Sequence, residues 1–384
     1  MHLKSSVFRY WLVRRHHRKE RMMRTVIVGA GLVGLTTAAS LRLLGHEVTV
    51  LEHAPRVRAV GAGIGLWPNA LREFDTLGIG DEVRRLGEPT DAWFYDAAGN
   101  PKRAAGYDAS AYRFLMVPRP ELTTLLADTT GRDRIRLGAH VTGYTEYDGR
   151  VEVHLGGERL RADLLIGADG VYSDVRAAMV PGSAAVEHEG NYAWRAVVPS
   201  GGERPEGTMV TIGGERTRGG YTRVAKGQTM WWVAQFDSGE LSGSKRDRAL
   251  RRARHVAESG WHDELLELIA ATPEEAVLEN QIMLVPELPR WTTGRVALIG
   301  DAAHGLSPHL AAGGTLGIED AGVLRAELAS GSADALARYE SVRRARFEKV
   351  REHSTAIEYA VGAAESAERY AAFSDWMLTT APAT

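Results

Sequence analysis

The chain has 384 residues, 44% of them apolar and 25% charged, with a formal net charge of −2; this is the balance of a soluble globular chain and argues against a general nucleic-acid binder. It contains no cysteine, which excludes disulfides, thiolate metal sites and cysteine nucleophiles and removes any case for an oxidising compartment. No apolar run approaches the roughly 20 residues needed to cross a bilayer, so no spanning helix is expected.

Residues 1–22 carry a basic cluster, Arg14 to Lys19, behind the apolar patch Phe8 to Val13. A signal peptide has its charges first, so this order argues against one. A membrane-surface or targeting role is one reading; a disordered extension ahead of a start at Met22 or Met23 is the reading taken. Arg24 to Val28 then reads as a buried strand, Leu32 to Leu44 as a helix and Glu47 to Leu51 as a second strand, a βαβ unit with parallel strands. Gly61 to Gly65 reads as a glycine-rich loop, and Trp67 to Leu77 and Arg119 to Thr129 as helices. Strands follow near Val141 to Tyr147, Val151 to Leu155 and Leu164 to Gly167. From Asn191 to Phe236, Trp194, Tyr221, Trp231 and Trp232 sit in alternating segments, which predicts a second sheet with one covered face. Helical patterns return at Asp247 to His255 and Trp261 to Ala271. Arg295 to Ile299 is another buried strand, followed by helices over Thr315 to Leu328, Asp334 to Arg351 and on to Met377.

The first βαβ unit carries chemistry. Gly29-Ala30-Gly31-Leu32-Val33-Gly34 is a G-x-G-x-x-G turn between strand and helix. Gly29 permits the tight turn, Gly31 lets a pyrophosphate approach the backbone, and Gly34 allows close helix–strand packing. The helix start, with Leu32 and Val33, offers free N–H groups and a positive dipole end to phosphates. Glu52 closes the second strand about 20 residues on, where a carboxylate accepts from ribose hydroxyls, with His53 beside it. The spacing alone leaves FAD and NAD open.

Three later stretches bring in a resemblance. Asp163 to Gly170, ending Ala168-Asp169-Gly170 and continuing through Ser173 to Arg176, resembles the DG motif of the group A flavoprotein monooxygenases, the aromatic hydroxylases of p-hydroxybenzoate, salicylate and urate type. Gly300-Asp301-Ala302-Ala303-His304 resembles their GD motif, and Pro308 to Asp320 resembles the loop and helix that cradle the isoalloxazine edge. Gly61 to Ala70 is similar to the family's flavin-flanking loop and helix. The resemblance runs from Thr25 to Lys349.

It implies an α/β fold: a Rossmann-like FAD-binding domain, discontinuous over 23–90, 110–180 and 286–330; a mainly β-sheet substrate domain over 91–109 and 181–285; and C-terminal helices over 331–384. It implies FAD as resident cofactor, with NADPH or NADH as a transient reductant and no second nucleotide domain, since Gly61 to Gly65 has the wrong spacing for one. By the same resemblance Asp301 holds the ribityl chain, Arg119 reaches the phosphate and ribityl region, Asp169 serves the cofactors, and Pro308, Gly313, Gly314 and Thr315 edge the flavin. The implied reaction is hydroxylation of an aromatic or polyketide-like small molecule by O2 through a flavin C4a-hydroperoxide, in a cytoplasmic monomer or homodimer with no metal. A flavin dehydrogenase or reductase of the same fold stays open, because Ala311-Ala312 replaces the usual Gly-Gln of the flavin loop. So does a non-catalytic binder that retains the fold.

No acid or base is identified. His304 reads as structural. His309 reads either as a substrate-side proton acceptor, since imidazole titrates near neutrality, or as an exposed loop residue. Arg195 is a candidate partner for an anionic substrate or a sheet-edge residue, and Tyr221, Trp231 and Trp232 are candidate pocket walls or core.

Overall fold

The computed structural model describes residues 22–57, 62–107, 114–200, 208–213, 216–256, 263–380 and 382; the amino-terminal extension, Gly61 and Trp261 lie outside them. Among the described residues, no helix is long and apolar enough to cross a membrane.

The nucleotide-side core is a five-stranded parallel sheet in the order Val296–Leu298, Leu164–Gly167, Arg24–Val28, Glu47–Glu52, Ile135–Leu137. Arg24–Val28 lies centrally and is buried from its second residue on, as expected for a strand covered on both faces. The helix Leu32–Leu43 is buried over most of its circumference, because the helices Arg119–Thr130 and Gly313–Ala329 pack on it. Leu35 and Leu41 are fully enclosed there, and truncating either to alanine removes about 2–5 kcal/mol.

A seven-stranded sheet forms the second layer, ordered Leu278–Leu284, Val186–Pro199, Gln228–Gln235, Thr217–Ala225, Thr208–Ile212, Ala92–Tyr95, Pro101–Lys102. Its outer face carries Trp194, Tyr221, Trp231 and Val233 against the helices Lys245–Val256 and Asp263–Ala271. Its other face looks toward the nucleotide-side core.

One sequence expectation is corrected here. The stretch read as a glycine-rich loop contains a strand, Gly63–Leu66, paired antiparallel with Phe114–Pro118. Glycine weakens strands in isolation, but these two make room for neighbours. A Cβ on Gly63 would stand 3.0 Å from the Met116 Cε and Val224 Cγ1, and one on Gly65 3.2 Å from the Phe114 ring.

The carboxy-terminal helices are longer than predicted, Ala335–Glu358 and Gly362–Thr379, turning at Gly362 with φ +74°. Phe373 packs edge-on against Trp67 with ring centroids 5.2 Å apart. The last helix therefore buttresses the residue that follows the Gly63–Leu66 strand.

Candidate cofactor and substrate site

Gly29 sits at φ +103°, and a Cβ there would stand 2.4 Å from the Ala168 carbonyl oxygen. A Cβ on Gly34 would stand 2.0 Å from the Gly29 carbonyl oxygen. Both glycines are demanded by the turn itself. Gly31 differs: it is exposed, and nothing lies within 4 Å of where its Cβ would be. It N-caps the helix with extended backbone and no side-chain cap. The amides of Leu32, Val33 and Gly34, which a helix leaves without internal partners, thus face a clearing. That is a cradle for a diphosphate, and it fits the FAD the sequence implies.

Glu52 supports the turn from below. Its Oε2 accepts from Ala30 N at 2.8 Å and its Oε1 from Ala54 N at 2.8 Å. Each oxygen keeps a second lone pair for a ribose hydroxyl. His53 is exposed and lies against His140, ring centroids 4.7 Å apart.

The Asp301 turn closes on the same clearing. Gly300 has φ +57°, and its added Cβ would meet Val33 at 3.0 Å; one on Gly317 would meet Val33 at 2.3 Å. Val33 thereby clamps the first helix to the Asp301 turn and the long helix Gly313–Ala329. Asp301 is exposed, and its Oδ1 lies 3.9 Å from where a Gly313 Cβ would be. Gly314 is closed in beneath by Ile64 and Leu32. Gly31, Asp301 and the Gly313-Gly314 helix start thus rim one groove. The long helix has no side-chain cap, so its first amides and positive dipole end are available to an electron-rich ring edge.

Two residues assigned to the cofactor by resemblance are engaged elsewhere. Asp169 accepts from Ser173 Oγ at 2.5 Å, Asp174 N at 2.8 Å and Val175 N at 3.2 Å. Burial nevertheless pushes its carboxyl above the usual range, with those hydrogen bonds working the other way. Its work is to hold the turn that leads into the helix Asp174–Met179. Thr315 is fully buried and accepts from Trp67 N at 3.1 Å, so its hydroxyl ties the long helix to the flanking strand and does not face the groove. Arg176, also buried, donates to Val171 O at 2.7 Å and Ala302 O at 3.2 Å, joining the Asp169 and Asp301 segments.

His304 pairs with Asp320 across 2.7 Å and is flanked by Trp291 and Phe347. It is structural. Ala311 adopts a left-handed conformation, φ +50°, at the point where the sequence departs from the usual glycine.

The candidate substrate residues separate by sheet face. Arg195 pairs directly with Trp232, and Gly220 lies on Trp232's other side; directly paired residues share a face. Two residues earlier on that face, the Met230 sulfur accepts from Gly63 N at 3.2 Å, so Arg195 and Trp232 look toward the flanking strand. Tyr221 and Trp231 alternate to the opposite face. Tyr221 donates to the Glu264 carboxylate and is 4% exposed within the helix-covered core. Tyr221 and Trp231 are therefore not pocket walls.

His309 is not an exposed loop residue: its side chain is 6% accessible. Its ring stacks on Phe236 at 5.4 Å, its Nε2 lies 3.4 Å from Asn191 Nδ2 and 3.9 Å from Glu358 Oε1. Burial, then the Arg218 guanidinium, pushes its pKa down to about 3. Glu358 also pairs with His188 at 3.0 Å and accepts from Ser307 Oγ. Asn191 is fully buried and its Oδ1 has no partner among the described residues. Exchanging its amide O and N would let that oxygen accept from His309. Asn191 follows a bulge between Glu187 and Tyr192, which carries it out of the regular ladder. Neither Asn191 nor Glu358 was singled out from sequence: one depends on the bulge, the other on a contact spanning 49 residues.

Comparison with known proteins agrees with this geometry. A family model described as an FAD binding domain matches residues 22–354. Aurachin C monooxygenase/isomerase of Stigmatella aurantiaca is 32% identical over 334 residues, covering 83% of this chain and 84% of that protein. The 6-hydroxynicotinate 3-monooxygenase of Bordetella bronchiseptica is 32% identical over 318 residues, covering 78% and 81%. The crystal structure of Klebsiella pneumoniae HpxO with FAD and uric acid superposes with a TM-score of 0.79 at 26% identity, covering 93% of this chain and 94% of that one.

Proposed function

The chain belongs to the FAD-binding-domain family of aromatic-ring monooxygenases, and from that premise we propose that it uses NAD(P)H and O2 to hydroxylate a hydroxyl-bearing N-heteroaromatic ring. It is an FAD-dependent oxygenase, so the dehydrogenase alternative is set aside. The heteroaromatic substrate is supported by the relatives named for aurachin C and 6-hydroxynicotinate and by the neighbour crystallised with uric acid. The observation that carries the cofactor reading is the shared rim of Gly31, Asp301 and Gly313 around one groove.

Bound FAD would supply the passage of electrons from the nicotinamide to O2 and of one oxygen atom to the ring. The protein's part is placement and exclusion of water. The amides after Gly31 would hold the diphosphate, Glu52 a ribose hydroxyl and Asp301 a ribityl hydroxyl. The start of the Gly313–Ala329 helix would favour negative charge on the flavin's pyrimidine edge. The sheet face bearing Met230, Trp232 and Arg195 would roof the ring. His309, held neutral, would accept a hydrogen bond from a substrate hydroxyl. A substrate anion forming beside it would restore its basicity, with Glu358 3.9 Å away to share the positive charge.

The test is turnover by FAD-loaded protein under 18O2, offering NADH and NADPH separately and a panel of 6-hydroxynicotinate, urate and hydroxyquinolines. Incorporation of a single labelled oxygen into one class supports the reading. NAD(P)H oxidation that yields only reduced oxygen with every member removes it.

A further inference from the structure

Arg195 and Arg119 are two cations that meet without an anion. Arg119 begins its helix directly after Pro118, which pairs with Gly63, and its backbone N donates to Ala62 O at 3.1 Å. Gly63 touches Met230, and Met230 and Trp232 share a sheet face on which Arg195 is paired to Trp232. This chain of contacts brings both guanidinium groups to the groove between sheet and flanking strand. Among the described residues, neither side chain makes a hydrogen bond or ion pair, although the chain has abundant carboxylates elsewhere. The carboxylate nearest to Arg195 in sequence position on the neighbouring strand, Glu279, faces the other way, bonded to Trp194 Nε1 at 2.5 Å and to Arg248 at 2.6 Å.

We propose that Arg119 and Arg195 together clamp an oxyanion, either the cofactor's diphosphate or an acidic group on the substrate ring. The proposal rests on the cofactor groove described above. Two enclosed guanidinium groups repel and are poorly hydrated, and a forked pair suits a planar or tetrahedral oxyanion. Burial and then the Arg119 charge lower the Arg195 pKa, as expected for a cation waiting for its counter-ion.

The experiment compares full-length wild type with Arg195→Gln and Arg195→Lys. Affinity of the apoprotein for FAD and for riboflavin is read by flavin fluorescence. Affinity of the FAD-loaded protein for 6-hydroxynicotinate and for its uncharged amide is read by perturbation of the flavin absorbance. If the anion is the diphosphate, Arg195→Gln weakens FAD by about 10- to 100-fold, the size of a lost charged hydrogen bond, and leaves riboflavin unchanged. If it is the substrate's acid, FAD is unaffected, and the wild-type preference for the acid over the amide disappears. In either case Arg195→Lys retains part of the affinity, and the Arg195→Gln apoprotein melts at or above the wild-type temperature because a repulsion has gone. FAD and 6-hydroxynicotinate affinities both within twofold of wild type overturn the clamp. Should Arg195→Gln not fold, wild-type apoprotein decides: failure of both pyrophosphate and 6-hydroxynicotinate to raise its melting temperature has the same consequence. Wild type that binds no FAD would instead overturn the function proposed above.

Discussion

Arg343 donates to Asp320 across 2.6 Å with both side chains sealed from water. The other Asp320 oxygen accepts from Gly300 N at 2.8 Å and pairs with His304 at 2.7 Å. The turn that presents Asp301 is therefore held from behind by an ion pair reaching in from the C-terminal helix. Burial opposes ionisation of Asp320, but His304 and Arg343 hold its carboxyl far below the usual range.

Replacing Arg343 strands that carboxylate. Arg343→Met should lower unfolding free energy by about 3–5 kcal/mol, measured by urea denaturation. The double variant with Asp320→Asn should recover part of the loss. A single-variant loss below about 1 kcal/mol would show the pair to be dispensable.

His309 sets a pH dependence of definite sign. Its folded pKa of about 3 lies below the unfolded value, so on acidification the unfolded chain takes up a proton that the folded protein refuses. The stability held above pH ~6.5 is lost progressively as pH falls toward 3. Between pH 7.5 and 5.5, wild type should lose about 1 kcal/mol relative to His309→Gln. Parallel stability profiles for the two proteins would contradict the buried neutral imidazole.

Ala311 is a local strain. A non-glycine residue in the left-handed region costs about 1–2 kcal/mol, partly offset by the lower chain entropy of alanine when unfolded. Ala311→Gly should therefore stabilise the protein by about 0.5–1 kcal/mol. A lower melting temperature would mean that the methyl group's packing outweighs the strain.

Tyr221 and Trp232 should behave oppositely. Tyr221→Phe loses its hydrogen bond to Glu264 and should cost about 1–3 kcal/mol of stability with substrate affinity unchanged. Trp232→Ala should weaken substrate binding more than it weakens the fold. A substrate defect in Tyr221→Phe would reverse the assignment of faces.

These cases mark what the sequence made legible. The βαβ unit, the G-x-G-x-x-G turn and the buried strands were readable because their patterns are local. Period-two alternation predicted a covered sheet, but it did not tell which face of Trp231-Trp232 met the helices; that is decided by the amphipathic helices Lys245–Val256 and Asp263–Ala271, distant in sequence. Gly63–Leu66 looked like a loop because glycine has low strand propensity, and its pairing partner lies some fifty residues away. Asp320, Arg343, Asn191 and Glu358 gave no signal, since buried polar residues on helices and bulges resemble ordinary surface ones until tertiary contacts enclose them.

The groove at Gly31 carries the whole account, and Gly31→Ala interrogates it most directly. No protein atom lies within 4 Å of the added methyl group, so the apoprotein should melt within about a degree of wild type. Titration with FAD, followed by quenching of flavin fluorescence, should show affinity reduced by at least about tenfold, because the methyl group would occupy the space of the diphosphate. Wild-type FAD affinity in a normally folded Gly31→Ala protein would place the nucleotide elsewhere and contradict the account.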